Sequence, residues 1–221
     1  MSCPLVLDVD GTLTRPDASL DPRIFDPLRD WEEPVVIATG KVLAHANAVC
    51  RFIGIDDHVI AENGGIVYSD DRVEINGDGE AARRVAEDLA EEGHGLGWGS
   101  FDLVNRWRET EIAVSREVSL DAVEEIAERH GLEVYDTKYA YHVKSPDVDK
   151  GRGLVTVSDI MGRDPEEFVA VGDSENDVST FEVVGESYAV SNADERALDA
   201  ADHVTEESYA DGLLEALDGI R

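Results

Sequence analysis

Asp8 and Asp10 close a short apolar run, Leu5-Val6-Leu7, and are followed at once by Gly11 and Thr12. Residues two apart on an extended strand share a face, so the two carboxylates point into one space. Side by side they repel, and each resists ionising unless a cation sits between them. Asp-Gly is also a common turn pair, which would account for either aspartate alone. Two more apolar runs end in polar signatures: Val35-Val36-Ile37-Ala38 runs into Thr39-Gly40-Lys41, and Phe168-Val169-Ala170-Val171 into Gly172-Asp173-Ser174-Glu175-Asn176-Asp177. Asp173 and Asp177 bring further carboxylates. Three or four such groups in one crevice need a hard divalent cation, and carboxylate plus carbonyl oxygen with retained water is the pattern of Mg²⁺.

Those runs are continuously apolar rather than alternating, as expected of parallel strands buried on both faces. A further run, Val59-Ile60-Ala61, ends in Glu62-Asn63-Gly64-Gly65, where paired glycines suggest a flexible turn or hinge. Residues 13–33 carry Pro16, Pro22 and Pro27 and read as a loop with a short helix. Helices are expected over 42–53 and from Lys150-Gly151 to 160, with shorter strands at 187–190 and 203–205. The alternation predicts an α/β fold with a doubly wound parallel sheet, Rossmann-like in layout. In such a sheet, ligands sit beyond the carboxyl ends of the strands. From residue 66 the pattern changes. A hairpin (66–68 and 72–75), an amphipathic helix (79–92), a strand (111–115), a helix (120–130) with Ser119 before it and Gly131 after it, and a strand pair (132–135 and 140–143) form a compact α+β block. The expected domains are a catalytic core over 1–65 and 146–221, and a smaller inserted α+β cap over 66–145.

The composition restricts the partners. The 221 residues carry 50 acidic and 19 basic side chains, net −31. That nearly excludes nucleic acid, whose phosphates require a basic footprint. The acids are spread along the chain, and Lys41, Lys138, Lys144 and Lys150 are the only lysines. Such a surface resembles proteins of salt-accumulating cytoplasms. At about 1 M salt the Debye length is near 3 Å, which screens its self-repulsion. No apolar run approaches the ~18 residues of a membrane span, no secretory leader is expected at the start, and a cytoplasmic location is expected. Cys3 and Cys50 form no metal-ligand spacing and are expected to be free thiols.

The ordered motifs Asp8-Val9-Asp10-Gly11-Thr12, Thr39-Gly40, Lys150-Gly151 and Gly172-Asp173-Ser174-Glu175-Asn176-Asp177 resemble those of the haloacid dehalogenase superfamily of phosphatases. The insert lies where one subgroup carries its larger cap. Its small size, the chain length and the acidic composition are similar to archaeal members that act on 2-phosphoglycolate; a sugar phosphate or mannosyl-type phosphoester is the alternative substrate. The resemblance implies that Asp8 is the nucleophile, forming an aspartyl-phosphate, and Asp10 the general acid and base. It also implies Mg²⁺ bound by the Asp8 carboxylate, the Asp10 backbone carbonyl, Asp173 and, directly or through water, Asp177. Thr39, with Gly40, and Lys150 would meet the phosphoryl oxygens, and Asn176 would orient Lys150 or a neighbouring carboxylate. A mobile cap would close over a small phosphorylated metabolite. A phospho-accepting signalling module is the non-enzyme alternative, disfavoured by Asp10 and by the insert. No feature fixes the oligomeric state.

Other features carry less. Lys41, where many members of the superfamily have arginine, is a candidate to pair with an acid or face the substrate. Gly93-His94-Gly95-Leu96-Gly97-Trp98-Gly99 follows a helix, so it reads as a helix end and turn rather than a dinucleotide loop. Trp98 and Trp107 are expected to pack in the interior more than to line a substrate. Arg106 and Arg108 could bind a carboxylate bidentately, with surface arginine the commoner role. The six histidines lack metal-ligand spacing, and His142, near the return to the core, is the one of interest.

Overall fold

The computed structural model describes residues 2–220. In chain order the elements are β1 (Leu5–Leu7), α1 (Phe25–Arg29), β2 (Val35–Ala38), α2 (Leu43–Ile53), β3 (Val59–Ala61), β4 (Ile66–Ser69), β5 (Arg72–Ile75), α3 (Gly79–Glu91), β6 (Ile112–Ser115), α4 (Leu120–Arg129), β7 (Glu133–Asp136), β8 (Ala140–Lys144), α5 (Lys150–Met161), β9 (Val169–Gly172), α6 (Val178–Phe181), β10 (Glu186–Ala189), α7 (Glu195–Ala200), β11 (His203–Val204) and α8 (Tyr209–Ile220). Short 3₁₀ turns lie between several of them. The chain divides into two compact units, Met1–Glu74 with Asp149–Arg221, and Ile75–Val148.

The first unit is built on a sheet in the order β11-β10-β9-β1-β2-β3-β4-β5. From β11 to β3 every pairing is parallel, with Leu7 opposite both Ile37 and Val171. Alternation along each strand sends neighbouring side chains to opposite faces. Leu5, Leu7, Val35, Ile37, Val169 and Val171 pack with Val49 and Ile53 of α2 and Leu213 and Leu217 of α8. Val6, Val36, Ile60 and Ala170 pack with Leu154 and Val157 of α5, Phe181 of α6 and Ala197 of α7. With both faces covered, each fully buried leucine or isoleucine contributes roughly 1.5–3 kcal/mol, which is why these strands must be apolar throughout. The α/β doubly wound class expected above is therefore present.

The hairpin assigned above to the insert instead extends this sheet. β4 pairs antiparallel with β3, Ile60 opposite Val67, and buries Ile66 in one face layer and Val67 in the other. An alternating hairpin specifies that two strands pair, but not which sheet receives them. The unit boundary accordingly falls at the last residue of β5 rather than at 65, and at 148 rather than at 145. β5 is exposed along its length.

The second unit is a three-stranded sheet in the order β6-β8-β7, antiparallel throughout. The amphipathic helices α3 and α4 set Val85, Leu89, Val123 and Ile126 against Ile112, Val114, Tyr141 and Val143. His142 and Lys144 alternate onto the other face of β8. Among the described residues no helix is long and apolar enough to cross a membrane.

Candidate active site

β1 and β9 are neighbours, and the Asp8 N–H donates to the Val171 carbonyl at 3.0 Å. Asp8 and Asp173 therefore leave adjacent strands at the same end of the sheet. Gly11 lets them approach: its φ is +89°, and a Cβ there would lie 2.0 Å from Asp173 Oδ2. Any side chain at 11 would displace that carboxylate. Asp8, Asp173 and Asp177 offer carboxylate oxygens that all lie within 4.8 Å of one another.

Lys150, the first residue of α5, is completely buried. Its Nζ donates to Asp8 Oδ1 at 2.6 Å, Asp177 Oδ1 at 2.6 Å and Asn176 Oδ1 at 3.1 Å. An ammonium has three protons, so each is spent. The helix start that places it is capped by Asp149, whose carboxylate accepts from the Arg152 N–H at 2.8 Å. Burial opposes the charge on Lys150, but the Asp177 and Asp8 carboxylates outweigh it and hold its pKa above the usual lysine value.

Burial pushes the Asp8 carboxyl up to about 7, with Lys150 opposing and Asp177 adding to the rise. Asp173 is pushed up to about 9, by burial first and then by Asp8 and Asp177. One lysine does not neutralise three carboxylates. Asp173 Oδ1 is buried without a hydrogen-bond partner, and among the described residues Asp8 Oδ2 accepts no hydrogen bond. This donor set, all oxygen and under-neutralised, fits a hard divalent cation. Asp177 differs from the other two. Its Oδ2 already accepts the Asp173 and Ser174 N–H groups at 3.0 and 3.1 Å, so it also braces the loop after β9.

Asp10 stands apart from the three. Its side chain is half-exposed, and Lys41 Nζ lies 2.8 Å from its Oδ2; of the two roles considered for Lys41, the structure places it on an acid. Thr39 is buried, and its Oγ1 accepts the Lys41 N–H at 3.2 Å, which leaves the hydroxyl proton for another acceptor. Gly40 faces the Asn63 side chain, whose Oδ1 would lie 3.0 Å from a Cβ at 40. Thr39 and Gly40 connect to the lysine cluster through Asn63. The Asn63 N–H donates to the Thr39 carbonyl at 3.2 Å, and its Oδ1 accepts from Asn176 Nδ2 at 3.2 Å.

Asn63 was not among the sequence candidates. It sits in a buried 3₁₀ turn, Glu62–Gly64, where a hinge was expected. The turn is wedged, since a Cβ on Gly64 would lie 1.9 Å from the Asp149 carbonyl. In the sequence Asn-Gly-Gly reads as a plain turn; the one available signal was its place at the end of a buried strand, the position that marks the other site residues.

The candidates in the second unit have other occupations. The Arg108 side chain is largely covered and ion-paired with Glu111, on the same Oε1 that lies 2.8 Å from His142 Nδ1. Arg106 lies over the Phe101 ring at 5.5 Å. Trp98 is tied by its Nε1–H to the Ala113 carbonyl at 2.7 Å. Trp107, expected in the interior, is about half-exposed. Gly93, Gly95, Gly97 and Gly99 all take left-handed φ values, as a helix end and turn require.

The sequence pattern of haloacid dehalogenase-like hydrolases matches residues 5–98 and 109–217 of the chain. A phosphoglycolate phosphatase of Natronomonas pharaonis is 53% identical over 223 residues, covering 100% of this chain and 99% of that protein. One of Halobacterium salinarum is 54% identical, covering 99% and 97%, and one of Methanococcoides burtonii 38% identical, covering 97% and 94%. The fold is shared with a haloacid dehalogenase-like hydrolase from Bacteroides thetaiotaomicron, with a TM-score of 0.83, 22% identity and 100% of each chain covered. A crystal structure from Thermoplasma acidophilum gives a TM-score of 0.86 at 24% identity, covering 100% of this chain and 98% of that one.

Proposed function

The chain belongs to the haloacid dehalogenase-like hydrolases, and from that premise we propose that it hydrolyses phosphate monoesters through a phosphoryl group carried on Asp8. The observation that carries the reading is the Asp8–Lys150 pair: a strand-end carboxylate held at 2.6 Å by a buried ammonium, with its other oxygen free of hydrogen bonds among the described residues. Asp8 Oδ2 attacks phosphorus, the bond from phosphorus to the ester oxygen breaks, and Asp10 gives its proton to the departing alkoxide. Asp10, on the solvent side and held by Lys41, then takes a proton from water. That water attacks the phosphorus of the aspartyl-phosphate, releasing inorganic phosphate and restoring Asp8. The Thr39 hydroxyl is a donor for a phosphoryl oxygen, and Lys150 fixes the attacking carboxylate. Asp8, Asp173 and Asp177, with the Asp10 backbone carbonyl, would hold Mg²⁺. When bound, the ion offsets the negative charge that the carboxylates and the phosphoryl group bring together.

The leading substrate is 2-phosphoglycolate, supported by the names of relatives above 50% identity over nearly the whole chain. The abundance of acid over base and the halophilic relatives support a protein adapted to high salt, acting in the cytoplasm. The test is phosphate release with Mg²⁺ in molar KCl from 2-phosphoglycolate, hexose phosphates and an aryl phosphate, for the wild type and Asp8→Asn. We expect 2-phosphoglycolate to lead and the variant to lose at least about 10³-fold. Faster turnover of a hexose phosphate would overturn the substrate but keep the chemistry. A wild type that becomes phosphorylated without releasing phosphate would revive the signalling reading.

A further inference from the structure

Building on the phosphatase reading, we propose that Asn63 is a positioning residue for Lys150, acting through Asn176. Its Oδ1 holds the Asn176 amide in the one orientation that the ammonium accepts. Asn176 Nδ2 donates to Asn63 Oδ1 at 3.2 Å, while Asn176 Oδ1 accepts from Lys150 Nζ at 3.1 Å and from Ser174 Oγ at 2.8 Å. A hydroxyl donates or accepts equally well, so Ser174 tolerates either orientation of the amide. Lys150 tolerates one only, because a rotated amide would turn its NH₂ donors on an ammonium with no exposure to water. A carbonyl-type oxygen has no proton to give, so Asn63 Oδ1 demands the same orientation from the opposite end. Rotation of Asn176 would break both contacts at once and leave the third Lys150 proton without an acceptor in a buried site.

The backbone supports this assignment. Glu62 and Asn63 hold φ values of +49° and +53°, a left-handed region that is strained for non-glycine residues and that Asn tolerates best. The turn is held by the Glu62 N–H on the Lys41 carbonyl at 3.0 Å and the Asn63 N–H on the Thr39 carbonyl at 3.2 Å. Gly64 presses on Asp149, the cap of the helix that begins with Lys150. The strained turn thus reaches the lysine by two routes, the backbone at Gly64 and the side chain at Asn63. Persistent strain of this kind concentrates at functional sites.

The test is a double-mutant cycle read by kcat on an aryl phosphate, with saturating Mg²⁺ in molar KCl. Asn63→Gly keeps the left-handed backbone and deletes the amide. It is expected to lower kcat about tenfold in the wild-type background, the order of one hydrogen bond to a charged group. In an Asn176→Ala background, where no amide remains to be oriented, it should change kcat by less than about twofold. The same factor in both backgrounds would assign Asn63 a structural role and overturn the proposal, as would no effect in the wild type. If Asn63→Gly fails to fold, Asn63→Ser, whose shorter side chain does not reach Asn176, carries the same comparison. A wild type silent on every ester removes the phosphatase reading and this inference with it; an active wild type with an additive cycle removes this inference alone.

Discussion

Asp173→Asn should abolish activation by Mg²⁺ and at the same time make the metal-free protein more stable. Asp173 shares a crowded space with Asp8 and Asp177, their oxygens within 4.8 Å, and its Oδ1 has no hydrogen-bond partner. At 4.8 Å and an effective dielectric of 20, one ionised pair costs about 3.5 kcal/mol. Lys150 returns part of that, so removing one carboxylate is worth about 2–3 kcal/mol, or roughly 4–12 °C in a chain of this size. The pH dependence fixes the sign. A carboxyl raised from 3.8 to about 9 in the folded protein binds its proton more tightly there than in the unfolded chain. The wild type therefore loses stability as pH rises between those values, and Asp173→Asn removes this slope. Melting curves in EDTA and molar KCl at pH 5.5 and 8.5 measure it, since buried pairs are screened little by salt. We expect the variant to melt above the wild type, by more at pH 8.5 than at pH 5.5. A variant that melts at or below the wild type at pH 8.5 would show that the three carboxylates do not repel as their geometry requires.

Lys150→Met leaves Asp8 and Asp177 buried without their cation, so it should destabilise the metal-free protein by about 3–5 kcal/mol at pH 8. The loss should shrink toward pH 5 as Asp8, raised to about 7, protonates, and a pH-independent loss in chemical denaturation would refute the account. Gly151→Ala places a Cβ 2.1 Å from the Ser179 carbonyl, which should cost about 1–3 kcal/mol in melting and displace Lys150 from Asp8; unchanged stability and kcat would refute the close packing of α5 on α6. With a net charge of −31, the melting temperature should climb between 0.1 and 2 M KCl, and a flat profile would remove the high-salt reading.

Much of the candidate site is legible as a cluster because its residues share one placement. Asp8, Thr39 and Asp173 each follow an apolar run too continuous for a half-exposed strand, and a parallel sheet delivers all such ends to one edge. Lys150 stood out as one of four lysines at a helix start. What was not legible depended on partners far away in sequence. Asn63 looks like an ordinary turn residue until Asn176 is brought opposite it. Arg108 looks available until it pairs with Glu111, the carboxylate that also holds His142. β4 reads as half of a free hairpin, and only its pairing with β3, with both faces covered, assigns it to the main sheet.

The position of β1 has a consequence for how the protein is made. This central strand finds one neighbour, β2, soon after it is synthesised, but its other neighbour is β9, with Leu5 opposite Val169. Until the ribosome has passed that point, one side of this buried strand presents bare N–H and C=O groups. Asp8 likewise waits for a lysine 142 residues downstream. Nascent chains must therefore hold an open, apolar strand edge through the synthesis of the whole second unit, which has its own core and can condense meanwhile. Chains released early, from nicked messages or proteolysis, would carry that edge uncovered. They would be the species most exposed to strand-to-strand association and to chaperone capture.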